Sequence, residues 1–202
     1  MGSGSWALPD TVEGFVAARG SWVMLAYRMP REPSTPRIVV WRRLRHLGVA
    51  QPVDGLVLLP DEPHTREGLD WVAERVLAAG GQATQWSAVH ASAAEENATV
   101  QAMNAAVAAE YTALTLEAAA AAAAGSSRDD LQAPSAPDGA QGAGDGGPQP
   151  ESAALPRAAV RLGRALAQIQ ARDYFGAPGR AAAERAVIAL AALAKRPKEP
   201  AR

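Results

Sequence analysis

From Ser21 to Met29 the chain is apolar on both alternations until Arg28 interrupts it, the pattern of a central strand buried on two faces. Pro30, Pro33 and Pro36 then forbid regular pairing, and Ser34 or Thr35 can cap a helix whose first turn accepts Pro36. That helix runs to about Leu47 and stops at Gly48. At about 100° per residue, Val40, Trp41, Leu44 and Leu47 share one side of it, while Arg42, Arg43, Arg45 and His46 occupy the other. The expectation is a packing face backed by a basic, solvent-facing stripe. Val49 to Val53 and Leu56 to Leu59 are short apolar runs split by the turn dipeptide Asp54-Gly55, and Pro52 pushes the first towards a sheet edge or bulge. Pro60-Asp61-Glu62-Pro63 ends the second run. A helix follows from about Thr65 to Ala79, stopped by Gly80-Gly81, and Gln82 to Val89 alternates as a fourth strand.

Strand, helix, strand, strand, helix, strand is the order of a ferredoxin-like βαββαβ core, so the expected fold class is α+β with additional C-terminal helices. From about Ala94 to Ala124 neither Gly nor Pro interrupts the chain, and Val100, Met103, Val107, Tyr111 and Leu114 recur on one side of a long predicted helix that Gly125 should stop. Residues 126 to about 152 carry one large apolar residue, Leu131, and their composition predicts a disordered linker. Helicity resumes after Pro156 to about Ala171, with Leu162, Leu166 and Ile169 as its apolar stripe, and a last helix spans about Arg180 to Ala194 with Val187, Leu190 and Leu193. The predicted organisation is therefore a lead-in over 1–20, a ferredoxin-like domain with its long helix over 21–124, a linker over 125–154, and a helical extension over 155–202 that packs back on the core.

Charge changes this picture at one place. The whole chain has a formal net charge of −1, yet residues 28 to 45 hold six arginines against the single acid Glu32. Such a placed positive field calls for an anionic partner. The positive charge of the chain is almost all arginine, which suits bidentate recognition of phosphate or another oxyanion; a GC-rich genome would produce the same bias. There is no cysteine, so disulfides, thiolate metal sites and cysteine nucleophiles are excluded. His46, His64 and His90 fall on three elements without ligand spacing, and neither a nucleophile elbow nor a glycine-rich phosphate loop is present. No metal, cofactor or enzymatic activity is expected. The N-terminus lacks a basic start followed by an apolar run, and no later segment is apolar enough to span a bilayer, which makes a cytoplasmic protein without membrane contact the expectation.

Ser34-Thr-Pro-Arg37 followed by Val40-Trp-Arg-Arg-Leu44, Leu47-Gly48, Asp54-Gly55-Leu-Val-Leu-Leu-Pro60 and Gly80-Gly81 resembles the N-terminal domain of the chromate resistance ChrB proteins. Ala171-Arg-Asp-Tyr-Phe-Gly176 and the helix after it extend the resemblance, which covers about residues 21 to 116 and 157 to 192. It implies a cytoplasmic regulator of a chromate-resistance operon. Full-length members continue into a second domain, for which no residues are seen before Arg202, so a stand-alone N-terminal domain is the expectation, and no residue here inherits the second domain's chemistry. A weaker, fold-level resemblance extends to phenylacetate-type repressors and small CRISPR-associated nucleases. Those nucleases hold a metal with an aspartate at the end of strand one, where this chain has Tyr27 followed by Arg28.

The candidate binding residues are Arg28, Arg31, Arg37, Arg42, Arg43 and Arg45, which would neutralise phosphates of DNA or hold a small dianion such as chromate. Arg157, Arg161 and Arg164, with Arg172 beyond them, line one helical face and would supplement that patch if the extension folds back over the sheet. The competing reading is a solvated face salt-bridged to the acidic segment 54–96, with helix solubility accounting for the second stripe. Arg172-Asp173-Tyr174-Phe175 is expected to dock and fix the extension. Trp22, Trp41 and Trp71 are all placed on packing faces, as core material more than base-stacking platforms. A non-enzymatic regulator binding DNA or an oxyanion leads; a protein-interaction module, dimeric through a sheet edge or the alanine-rich helix, is the alternative.

Overall fold

The computed structural model describes residues 20–32, 34–131 and 154–195, with the helical backbone alone described for 126–131. Of the predicted lead-in over 1–20, residues 1–19 lie outside the described residues, as do residues 132–153 of the predicted linker over 125–154. Among the described residues the fold is α+β: a four-stranded antiparallel sheet and five helices, in the order β1 (Trp22–Arg28), α1 (Ser34–Leu47), β2 (Ala50–Val53), β3 (Leu56–Pro60), α2 (Pro63–Ala78), β4 (Gln82–Ala88), α3 (Ala93–Leu131), α4 (Ala154–Gln170) and α5 (Arg180–Ala194). Two compact units divide it, and the boundary falls inside α3, between Met103 and Asn104.

The first unit is built on a sheet of order β2-β3-β1-β4. β1 is central, as its apolar run requires, pairing Val23 with Leu59 and Leu25 with Val57 on one side and Met24 with Trp86 on the other. Val23, Leu25, Val57 and Leu59 share one fully buried face, since alternate residues of a strand point the same way. Val40, Leu44 and Leu47 of α1 and Leu69, Val72 and Val76 of α2 complete this core; α2 packs on β1, on β4 and against α1. Pro52 sits where expected, in an edge strand whose register with β3 shifts between Ala50 and Val53.

The β2–β3 hairpin is locked to β1 through its turn. Gly55 adopts φ +77°, the Tyr27 N–H donates to its carbonyl at 2.7 Å, and a Cβ at Gly55 would stand 2.5 Å from the Tyr27 carbonyl oxygen. Burial, followed by the nearby Asp54 charge, raises the pKa of the Tyr27 hydroxyl. α2 begins at Pro63, two residues before the expected Thr65, because Pro is tolerated in a first turn. Thr65 is instead a buried first-turn staple, its hydroxyl accepting the Glu62 N–H at 3.1 Å and donating to the Glu62 carbonyl at 2.8 Å. At the far end of the sheet the Gly20 N–H and the Trp22 indole both donate to Glu96 Oε1, at 2.8 and 3.3 Å.

The second unit is helical. Val107, Tyr111, Leu114 and Ala118 of α3 meet Leu162 and Ile169 of α4 and Ala183, Val187 and Leu190 of α5 in one buried cluster. The expected helix stop at Gly125 is corrected: α3 continues to Leu131. A Cβ at Gly125 would overlap the Leu155 side chain, so the glycine admits α4 at close range, and that contact offsets its poor helix propensity. The α4–α5 loop is tied to α3 within this unit. Asp173 accepts the Tyr111 hydroxyl at 3.0 Å and the Ala177 N–H at 2.7 Å, and Arg172 pairs with Glu110. Among the described residues no helix is long and apolar enough to cross a membrane.

Candidate nucleic-acid and anion interface

The arginine patch lies in the first unit. β1 ends at Arg28, exposed, and the proline-bearing turn carries Arg31, also exposed, into α1. Arg37 Nη1 donates to the Arg31 carbonyl at 3.4 Å, tying the first turn of α1 to the segment before it. Along α1, Val40, Leu44 and Leu47 are buried, at spacings of four and three residues that make one narrow stripe. Everything facing away from that stripe is open: Arg37, Ile38, Val39, Trp41, Arg42, Arg45 and His46 are exposed.

Two placements differ from expectation. Trp41 is not on the packing face; 54% of its surface is exposed. The buried stripe is narrower than the one counted from periodicity, and Trp41 stands at its outer edge, turned out beside Arg45, whose guanidinium lies 5.1 Å from its ring centre. Arg43 is not on the solvent stripe. It is half-buried against α2, 5.6 Å from the Trp71 ring, with its Nε buried and lacking a hydrogen-bond partner among the described residues. Trp71 is half-buried and also receives Arg75 at 5.1 Å. Arg75 is the residue that the sequence pattern did not single out; its position one turn after Trp71 in α2 was the available signal.

The salt-bridged alternative makes a definite demand, and the ion pairs fall elsewhere. Asp61 pairs with Arg66 and Glu62 with His64, both within the α2 start. Among the described residues, Arg28, Arg31, Arg37, Arg42, Arg43 and Arg45 form no ion pair with an acid. A groove of about 290 Å³ between the start of α1 and the end of α2, lined by Thr35, Pro36, Val39, Arg75, Ala78 and Ala79, adjoins this surface.

In the second unit Arg157, Arg161 and Arg164 are exposed along α4, beside a shallow depression that also includes Val160 and Gln168. Arg161 is paired with Glu117 at 2.6 Å, whereas Arg157 and Arg164 form no ion pair among the described residues. The histidines do not converge: His46 is exposed on α1, His64 faces Glu62, and His90 contacts Thr99 at 3.0 Å and the Trp22 ring. Among the described residues no group of three or more His, Asp or Glu is placed to hold a metal ion.

Residues 37–123 match the family model described as Protein ChrB, N-terminal. The match begins at Arg37 inside α1 and ends at Ala123 inside α3, so it includes Arg37, Arg42, Arg43 and Arg45 and leaves β1 and the two C-terminal helices outside. Neither a curated protein nor a solved structure matches the chain.

Proposed function

Because residues 37–123 belong to the ChrB N-terminal family, we propose that this chain is a chromate-resistance-associated regulatory protein that binds DNA, or an oxyanion, through the exposed arginines of α1 and the turn before it. One observation carries the reading: five exposed arginines gathered on one strand-to-helix segment, Arg28, Arg31, Arg37, Arg42 and Arg45, have no acidic partner among the described residues. Guanidinium groups left unpaired on a surface are available to phosphates, and each phosphate neutralised releases counterions. We read the core as ferredoxin-like, which the element order and the antiparallel order β2-β3-β1-β4 support. The protein acts without catalysis on this reading. Arg28 occupies the strand end at which a metal nuclease of related design needs an acid.

The test is binding to DNA from upstream of the protein's own operon over a salt series. Affinity should fall steeply with salt, and Arg42→Ala with Arg45→Ala should reduce the log–log slope by about 2, roughly one unit for each phosphate no longer neutralised. Sodium chromate competing with DNA at constant ionic strength would identify the oxyanion as a ligand of the same arginines. Absence of binding to any upstream fragment at low salt would sink the proposal. The alternative, a dimeric interaction module, is favoured by the exposure of Ile38, Val39 and Leu77. It predicts a concentration-dependent dimer in sedimentation that those arginine substitutions leave unchanged.

A further inference from the structure

The exposed face of α1 is not simply basic. With 3.6 residues per turn, Trp41, Arg45, Ile38 and Arg42 follow one another around a single outward arc, and Arg37 lies one turn before Trp41 as Arg45 lies one turn after it. Arg37, Trp41 and Arg45 are thus a row of guanidinium, indole and guanidinium along the helix. The row is partly pre-set: Arg37 is tethered to the Arg31 carbonyl and Arg45 rests on the Trp41 ring. With that guanidinium in place Trp41 still leaves 54% of its surface open.

An indole this exposed is costly in water and adds nothing to the core, which Val40, Leu44 and Leu47 already fill. Its value depends on a flat apolar partner. A nucleotide within a strand is a flat base with a phosphate on either side, which complements this row in both shape and charge. A duplex offers base edges in its grooves and keeps base faces stacked, so Trp41 would have no ring to meet there. Unpaired nucleotides present both the face and the flanking phosphates, the combination that single-strand binding surfaces use.

We propose that α1 binds single-stranded nucleic acid, with Trp41 stacking on an unpaired base and Arg37 and Arg45, assisted by Arg31 and Arg42, holding the adjacent phosphates. This inference rests on the nucleic-acid reading of the same arginines and narrows it to unpaired strands. DNA and RNA share the chemistry it requires, so both are included in the test.

The experiment uses the full chain and fluorescein-labelled oligothymidine, oligouridine and a mixed-sequence DNA duplex of equal length, followed by fluorescence anisotropy. The single strands should bind about tenfold or more tightly than the duplex, and the ratio between oligothymidine and oligouridine identifies the natural source. Trp41→Ala should weaken single-strand binding about 5- to 150-fold, the range of one stacked base. Trp41→Phe should restore part of that affinity, and duplex binding should hardly change in either. Trp86→Ala removes an indole exposed on β4 and should leave all affinities as they are. Unchanged thermal melting of Trp41→Ala, expected for an exposed side chain, separates a binding defect from a folding defect. Equal or tighter binding of the duplex, or a Trp41→Ala variant with wild-type single-strand affinity, overturns this proposal. If the duplex then still binds with a steep, arginine-dependent salt slope, the regulatory reading stands without it; absence of binding to all three probes overturns this proposal, and absence of binding to the upstream fragments as well overturns the DNA reading with it.

Discussion

At the scale of the residue, polar side chains in this protein divide by what they face. Tyr111 is fully buried, and its hydroxyl donates to Asp173. Burial, followed by the hydrogen bond and charge of Asp173, pushes its pKa up to about 12, with Glu184 acting the same way and Arg180 opposing. The unfolded chain would ionise this tyrosine near its ordinary value of 10.0, so between about pH 10 and 12 the unfolded state has released a proton that the folded state retains. Stability contributed here is intact below pH 10 and declines as pH rises through 12. Thermal melting of the second unit, followed by circular dichroism at increasing alkaline pH, should show that decline, and Tyr111→Phe should abolish this component of it. At neutral pH the same substitution should cost about 1–3 kcal/mol, because it leaves the Asp173 carboxylate short of a partner. The partnership was legible in part: the mixed sequence Arg172-Asp173-Tyr174-Phe175 indicated docking, but nothing in it pointed to Tyr111, far back in the chain. Trp41 is the opposite case. A helical period counts which apolar residues share a side but cannot say where along the arc burial ends, so the outermost member was assigned to the core.

At the scale of the element, the strands and helices followed from their punctuation. Asp54-Gly55 marks the hairpin, Gly48 and Gly80-Gly81 end helices, and Pro52 indicates a sheet edge or bulge, where the structure has an edge strand with a register shift. Gly125 failed as a stop because its effect depends on Leu155, a residue of another helix that no local pattern contains. Gly55 shows how much one such mark can carry. It holds φ +77° while its carbonyl accepts from Tyr27 and its missing Cβ lets the Tyr27 carbonyl approach. Gly55→Ala combines a left-handed backbone with a backbone clash that no side-chain rotation relieves, and should destabilise the first unit by about 1–3 kcal/mol. Urea unfolding followed by tryptophan fluorescence measures it. A midpoint within error of wild type would mean that the turn can open away from β1 at no cost.

At the scale of the whole molecule, two cores replace the single core with an appendage that composition indicated. Trp22, Val23, Leu25 and Leu59 belong to one, and Tyr111, Leu162 and Leu190 to the other. The sequence does not mark the division because it falls between Met103 and Asn104, in a helical stretch free of Gly and Pro. Tryptophan distribution makes the two cores separately visible: all five tryptophans precede residue 104, while most helical residues of α3, and all of α4 and α5, follow it. Fluorescence therefore reports on the first unit, and the helical signal at 222 nm is weighted towards the second. Each core buries its own set of side chains, so a single all-or-none transition is not required. Denaturant curves from the two probes should fail to superimpose. Gly55→Ala should move the fluorescence midpoint more than the circular dichroism midpoint, and Tyr111→Phe should do the reverse. Superimposable curves that shift together in both variants would show that α3 couples the two units into one cooperative fold, and a ligand held by α1 would then stabilise the α4–α5 unit as well as its own.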